Sequence, residues 1–434
     1  GLLGTARLRS RSSPPGFWHS RRRRTRRATH IALTLLALCA LLALSAGSRA
    51  AEWQASLDTR LVSSDAGRPL MDGGLGSVRF GRNDEGLQLG RLRFALTQHL
   101  LELWSLHLDV SAWDDKGSSP AGVTEAYLQF RPYPRDGLRF RLKAGAFYPT
   151  LSLENRASGW ESPYTLSFSA LDSWLAVELR TIGVEGQLDW LGTRLGHDFD
   201  LSATGGAFGW NEGAGAELAN VGFTFTDRQT PLFDRIGRPG VPPVYGERPF
   251  VEYDGHAGVY AGLEARYLDR VVLRVLRYDN RADPAAQDLV SNTIAWDTRF
   301  TSAGVRVELD DGWTAIAQWL GGETTIAPPG LRLDWPFHAD FALLSKRFGR
   351  HTLSARYDRF SVRTNNEGTA GGWQDGHAWT AAYVFNASEH WRFTLEWLRV
   401  TSSSYDRAEA GGPPLLTETQ VQLAIRYAIG STLR

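Results

Sequence analysis

Beyond residue 50 the apolar residues of this chain recur at every second position, and they never gather into a run long enough for a membrane-spanning helix. In His390–Thr401 one face reads Trp391, Phe393, Leu395 and Trp397, and the other Arg392, Thr394 and Glu396. In Gln420–Gly430 the apolar set is Val421, Leu423, Ile425, Tyr427 and Ile429, against Gln420, Gln422 and Arg426. A period of two marks a strand whose faces meet unlike surroundings. A soluble sandwich would alternate in the same way, so the connections must decide. Tight turns near Asp269-Arg270, Asp310-Asp311-Gly312, Phe348-Gly349-Arg350 and Asn386–Glu389 alternate with longer polar loops at about 280–300, 321–336, 363–376 and 402–419. Short and long in regular exchange is the order of an outer-membrane barrel, with brief turns at one end and extended loops at the other.

This rule predicts strands at 53–62, 87–98, 101–113, 123–131, 138–147, 181–190, 198–209, 256–268, 270–279, 301–309, 313–320, 337–347, 352–362, 377–385, 391–400 and 420–429. Val221–Thr226 also alternates, but counting it would put the Pro- and Gly-rich stretch after it at the turn end. Leaving it out gives an even strand number, as single-chain bacterial barrels have, and makes 210–255 one long outer loop with room for a local hairpin. The expected fold class is therefore all-β: a 16-stranded antiparallel transmembrane β-barrel. Closure follows from the bilayer, where an open sheet edge would leave backbone groups unpaired at several kcal/mol each.

If the apolar face meets lipid, the other face lines a lumen with a mild excess of cations. Arg60, Arg91, Arg93, Arg139, Arg141, Lys143, Lys346, Arg356, Arg392 and Arg426 are among them, with Asp58, Asp109, Glu185, Asp189, Asp340, Asp358 and Glu396 among the acids. The row Arg139, Arg141, Lys143 is the sharpest feature, with Arg91 and Arg93 next. Like charges in succession on one strand repel unless anions or carboxylates relieve them, so the row reads either as an anion-guiding track or as a solvated, salt-bridged wall. The loop 148–180 has the apolar content of a folded segment (Leu166, Phe168, Leu171, Trp174). Folded into the lumen, it would bring Arg156, Glu161, Asp172 and Arg180 to a constriction. Trp113, Trp190, Trp210, Trp313, Trp319, Trp335 and Trp391 lie near strand ends, as interfacial girdles require.

Charge separates the first 50 residues from the rest. They carry ten of the 48 basic residues and no acid, so the remainder, with 47 acids, has a net charge of about −9. An acidic body excludes general nucleic-acid binding. Arg21–Arg27 followed by the apolar run Ile31–Leu44 and the small-residue stretch Ser45–Ala50 reads as a secretory leader, residues 1–50, cleaved after Ala50, ahead of a barrel domain over 51–434. One Cys, in that leader, excludes a disulfide framework or a Cys-based metal site. No His-Glu-x-x-His, Gly-x-Ser-x-Gly or phosphate-binding Gly loop occurs, so no enzyme activity and no cofactor are expected.

Val123–Arg131 with Pro132-Tyr133-Pro134, then Gly137–Gly145, Phe147-Tyr148-Pro149, Leu153-Glu154-Asn155 and Gly183-Val184-Glu185-Gly186, resembles the phosphate-selective porin O and P family. The resemblance is strongest over about 87–190; within it Ala146 stands where that family carries Lys. It implies a homotrimeric channel of the bacterial outer membrane with an inward-folded third loop. The expected function is passive diffusion of small hydrophilic solutes, including anions such as phosphate, with outer-membrane lipid as the surrounding partner. The alternatives are a channel for neutral or organic solutes, or an outer-membrane enzyme or adhesin built on the same scaffold.

Overall fold

The computed structural model describes residues 51–114, 119–241, 245–288, 293–364 and 373–431; the expected leader lies outside them. Sixteen antiparallel strands close into one barrel. They are β1 (Ala51–Ser64), β2 (Gly86–Leu101), β3 (Trp104–Ala112), β4 (Ala121–Phe130), β5 (Leu138–Phe147), β6 (Thr181–Trp190), β7 (Phe199–Gly209), β8 (Gly258–Tyr267), β9 (Val271–Asp279), β10 (Asp297–Glu308), β11 (Trp313–Ile326), β12 (Leu333–Phe348), β13 (His351–Val362), β14 (Gln374–Asn386), β15 (Trp391–Ser404) and β16 (Leu415–Gly430). Each expected segment is present. Val221–Thr226 is not a strand and makes only an isolated bridge between Phe225 and Val78. β1 closes on β16 from Gln54↔Gly430 to Ser64↔Gln420, so no edge is left.

The short connections gather at one end (the turn end) and the long ones at the other (the loop end). The wall is uneven. β12 and β16 run for 16 residues, β3 and β9 for 9. Of two stretches expected as loops, 321–336 is largely ladder, with Gly321 to Ile326 paired to His338 to Leu333, and 402–419 is ladder at its two ends, where Ser402 and Ser403 pair with Leu416 and Leu415. Their Gly and Ser content reads as loop, yet backbone pairing needs no particular side chain.

On β16 the expected faces hold. Val421, Leu423, Ile425 and Tyr427 are exposed outward, while Gln420, Gln422 and Ala424 are buried inward. From β9 to β13 the inner face carries apolar rows as well. The row Tyr278, Phe300, Gly322, Phe337, Val362 crosses five strands in register. On β12 the inward set is Trp335, Phe337, Ala339, Phe341 and Leu343, all buried. Asp340 and Lys346 therefore point outward, against expectation. Asp340 pairs with Arg359 at 3.1 Å, and Lys346 lies over the Trp313 ring at 5.1 Å. The rule that the apolar face turns to lipid fails here because the interior is itself packed with chain.

Three connections supply that packing: 65–85, 148–180 and 210–257. The second contains α1 (Ala170–Glu178), begun by Ser169, whose hydroxyl accepts from the Asp172 N–H. Every residue of α1 is buried, so the helix has no solvent face, and its polar residues Asp172, Ser173 and Glu178 are bonded to chain instead of water. Its Trp174 ring centroid lies 5.4 Å from that of Phe300 and 5.2 Å from that of Phe337. The third connection, expected outside, carries α2 (Ala216–Asn220) and packs Phe223 and Phe225 edge-on or tilted against Phe360. Trp113 and Trp335 are likewise interior, at 2% and 5% exposure, not girdle residues. Trp210, Trp313, Trp319 and Trp391 are exposed, as a girdle needs.

Candidate functional site

β1, β2, β15 and β16 set a group of charges side by side at the level where segment 148–180 meets the wall. Asp58 and Arg60 alternate on β1. Asp58 lies opposite Arg91 on one side and Arg426 on the other, and Arg426 lies opposite Arg392. Cations in neighbouring register positions repel unless carboxylates intervene. Two of those carboxylates come from the interior connections. Glu161 bridges Arg91 at 3.0 Å and Arg426 at 2.5 Å. Asp227 accepts from Arg60 at 2.5 Å and from Arg79 at 2.7 Å. Asp58 holds the other side of Arg60 at 3.0 Å.

Asp58, Arg60, Arg91, Glu161, Asp227 and Arg426 line a small pocket together with Arg392, with room for about one water. Arg392 donates to the Pro163 carbonyl at 2.8 Å. Among the described residues it has no carboxylate within ion-pair distance, whereas each of Arg60, Arg91 and Arg426 has at least one. The pocket thus combines locked ion pairs with one cation, Arg392, that has no direct carboxylate partner and feels Glu161 and Asp58 only at longer range.

The structure sorts the expected site residues into three kinds. Arg91 and Arg93 are each 3% exposed and act as anchors. Arg91 reaches Glu161 and the Gly159 carbonyl, and Arg93 reaches Asp109 at 2.5 Å and the Ser158 hydroxyl. The row Arg139, Arg141, Lys143 keeps side-chain exposures of 20%, 30% and 24% but faces acids on β6. Asp189 takes Arg139 at 2.9 Å and Arg141 at 3.2 Å, and Glu185 takes Lys143 at 3.6 Å. Of the four loop residues, only Glu161 lines the pocket. Arg156 pairs with Glu308 at 3.0 Å, near the turn end of β10.

Asp172 and Arg180 correct the expectation, for both are buried inside the segment. Asp172 accepts from Ser152 at 2.8 Å and Ser169 at 3.2 Å, and burial next to Glu154 pushes its carboxyl well above the usual range. Arg180 donates to the Thr124, Leu179 and Thr230 carbonyls and lies 3.6 Å from the Tyr148 ring centroid. Both belong to the packing that holds the loop. Asp227 and Arg79 were not legible as site residues. They sit in connections that look like ordinary polar loops, and no motif marks them.

Glu161 supplies a pH prediction. Burial pushes its carboxyl up, but Arg426 and Arg91 outweigh burial and hold it down to about 2. A depressed carboxylate stabilises the fold above its unfolded value, near 4.3, and that contribution disappears as pH falls through 2. The clamp contributes on the order of 3 kcal/mol at neutral pH by this linkage. Unfolding in urea across pH 6 to 2 is expected to show this loss in the parent protein, while Glu161→Gln starts lower and falls less.

No protein-family model matches the chain, and no curated protein does. Among solved structures the chain is similar to the outer membrane channel DcaP of Acinetobacter baumannii, with a TM-score of 0.52 and 11% identity over 87% of this chain and 96% of that one. It is also similar to a loop L8 deletion mutant of OmpT, an outer membrane protein of Vibrio cholerae, with a TM-score of 0.50 and 11% identity over 87% of this chain and 99% of that one. At such identity the likeness is one of fold.

Proposed function

We propose that this chain is a passive channel of the bacterial outer membrane for small hydrophilic solutes, with a preference for anions. The observation that carries the reading is the polarity of the wall at β1, β15 and β16: apolar outward, and inward a charged pocket in which Arg392 has no direct carboxylate partner. An apolar outer surface closed on itself suits a bilayer, and charge fixed along an inner surface selects ions by its local field. Interior connections that fill much of the loop half favour solutes of ionic size over larger ones. On β5 the partly exposed row Arg139, Arg141, Lys143 faces Asp189 and Glu185, three cations against two acids, and so adds one positive charge in excess toward the turn end. Phosphate is the first anion to test, because the stretch 87–190 resembles phosphate-selective porins. Export by the leader, with cleavage after Ala50, and assembly as a homotrimer complete the proposal, which assigns no catalytic step and no cofactor.

Purified protein in a planar bilayer is expected to give stepwise conductance, a KCl-gradient reversal potential on the chloride side, and partial block by added phosphate. Absence of steps would sink the channel reading. Steps with a potassium-side reversal potential would leave the channel and remove the anion preference.

A further inference from the structure

At the loop end, where β7 leaves the barrel and β8 re-enters it, three carboxylates converge. Oxygens of Glu212, Glu252 and Asp254 lie within 4.8 Å of one another. Their outer partners are mostly backbone amides. Glu212 Oε2 accepts from Tyr253 N–H at 2.7 Å, Glu252 from Trp210 N–H at 2.8 Å and Gly255 N–H at 2.9 Å, and Asp254 from His256 N–H at 2.7 Å and from Asp283 N–H. These bonds fix the carboxylates without neutralising them. Glu212 is 2% exposed, and its Oε1 has no hydrogen-bond partner. Among the described residues the basic side chain within ion-pair distance is His256, 3.2 Å from Asp254 and largely exposed. A buried carboxylate oxygen with no donor, facing two more carboxylates, is a costly arrangement unless a cation or a shared proton joins them.

We propose that Glu212, Glu252 and Asp254 form a divalent-cation site, selective for calcium. The donors are all oxygen, which favours calcium or magnesium over softer metals. They come from one irregular connection, which suits the flexible, water-completed shell of calcium better than the strict octahedron of magnesium. Because Asp283, from the connection after β9, is bonded to Asp254, the ion ties 210–257 to 280–296 at the loop end. The other three-residue cluster, His107, Asp109 and Glu125, does not compete. Asp109 is taken by Arg93, His107 by the Thr97 hydroxyl and Glu125 by the Tyr148 N–H. The proposal does not rest on the channel reading.

The test is terbium luminescence on the full folded chain in detergent, with Trp210 and Trp296 as antennas. Their backbone N–H groups donate to the Glu252 carboxylate and to the Glu212 carbonyl. One saturable terbium site per chain is expected, displaced by calcium with a dissociation constant of about 0.1–1 mM, and at least tenfold less well by magnesium. Glu212→Gln with Glu252→Gln should weaken terbium and calcium at least a hundredfold, and Asp254→Asn alone about tenfold, while heat-dependent gel migration confirms that each barrel is folded. Unchanged binding in the folded double variant overturns the site. So does the lack of any saturable calcium competition in the parent, in which case the three acids share a proton instead.

Discussion

Arg356→Ala is expected to cost about 3–5 kcal/mol and to release segment 148–180 from the wall. Arg356 is fully buried on β13 between two acids, Asp358 at 2.9 Å and Glu154 at 2.6 Å. It also donates to the Ser167 and Phe168 carbonyls at 2.8 and 2.9 Å. Asp358 in turn accepts from the Ala170 N–H at 3.1 Å, at the start of α1. Removing the guanidinium leaves two buried carboxylates facing one another and frees the carbonyls that fix the entry to the helix. The energy follows from the orphaned acids rather than from the worth of the pair itself. Urea unfolding measures the loss. Conductance is expected to rise in the same variant, because the segment no longer fills the lumen. Arg356→Lys keeps the charge but not the fork of donors, and should fall between the two. Parent-like stability and conductance in Arg356→Ala would mean that the segment is held by its apolar contacts alone.

Arg392→Glu is expected to turn the channel from anion to cation preference. Arg60, Arg91 and Arg426 cannot be removed cleanly, since each loss strands a buried acid. Arg392 can, since it donates to the Pro163 carbonyl and no carboxylate depends on it for a direct ion pair. A unit charge about 6 Å from a passing ion contributes roughly 2–3 kcal/mol at an effective dielectric constant near 20. Reversal changes the charge by two units. Even after screening, the chloride-to-potassium permeability ratio should fall at least tenfold in about 0.1 M salt, and less at 1 M, where the Debye length is about 3 Å. Arg392→Gln should fall midway. A ratio that does not move would place the selectivity filter elsewhere, with the β5 row next to be tested.

How much of this was legible in the residues depends on which physical rule was being read. Strand positions and their even number follow from period and turn spacing, and Val221–Thr226 was rightly left out because including it would have reversed the loop order. Alternation distinguishes two faces but does not say which is inside. On β16 the polar face is inside and the reading holds. On β12 the inward row is Trp335, Phe337, Ala339, Phe341 and Leu343, and Asp340 and Lys346 turn outward. The sign of the face depends on Trp174 and Phe223, which reach β12 from distant parts of the chain. The charged row on β5 was visible, and so were its acids on β6, but only the register Arg139↔Asp189 and Lys143↔Glu185 tells that two of the three charges are cancelled. Asp227 and the Glu212, Glu252, Asp254 cluster carry no local signature. Their role comes from which distant residues surround them.

The ion pairs between wall and interior also order events in time. Arg60 finds Asp227 across 167 positions of chain, and Arg356 finds Glu154 across 202. Such contacts return nothing until a long loop has been closed. Segment 148–180 leaves β5 before the strand that holds Arg356 has been made, so in synthesis order its partner arrives late. The interior therefore settles after the wall that receives it, and a barrel caught before that step is open, unlatched and exposed to misassembly.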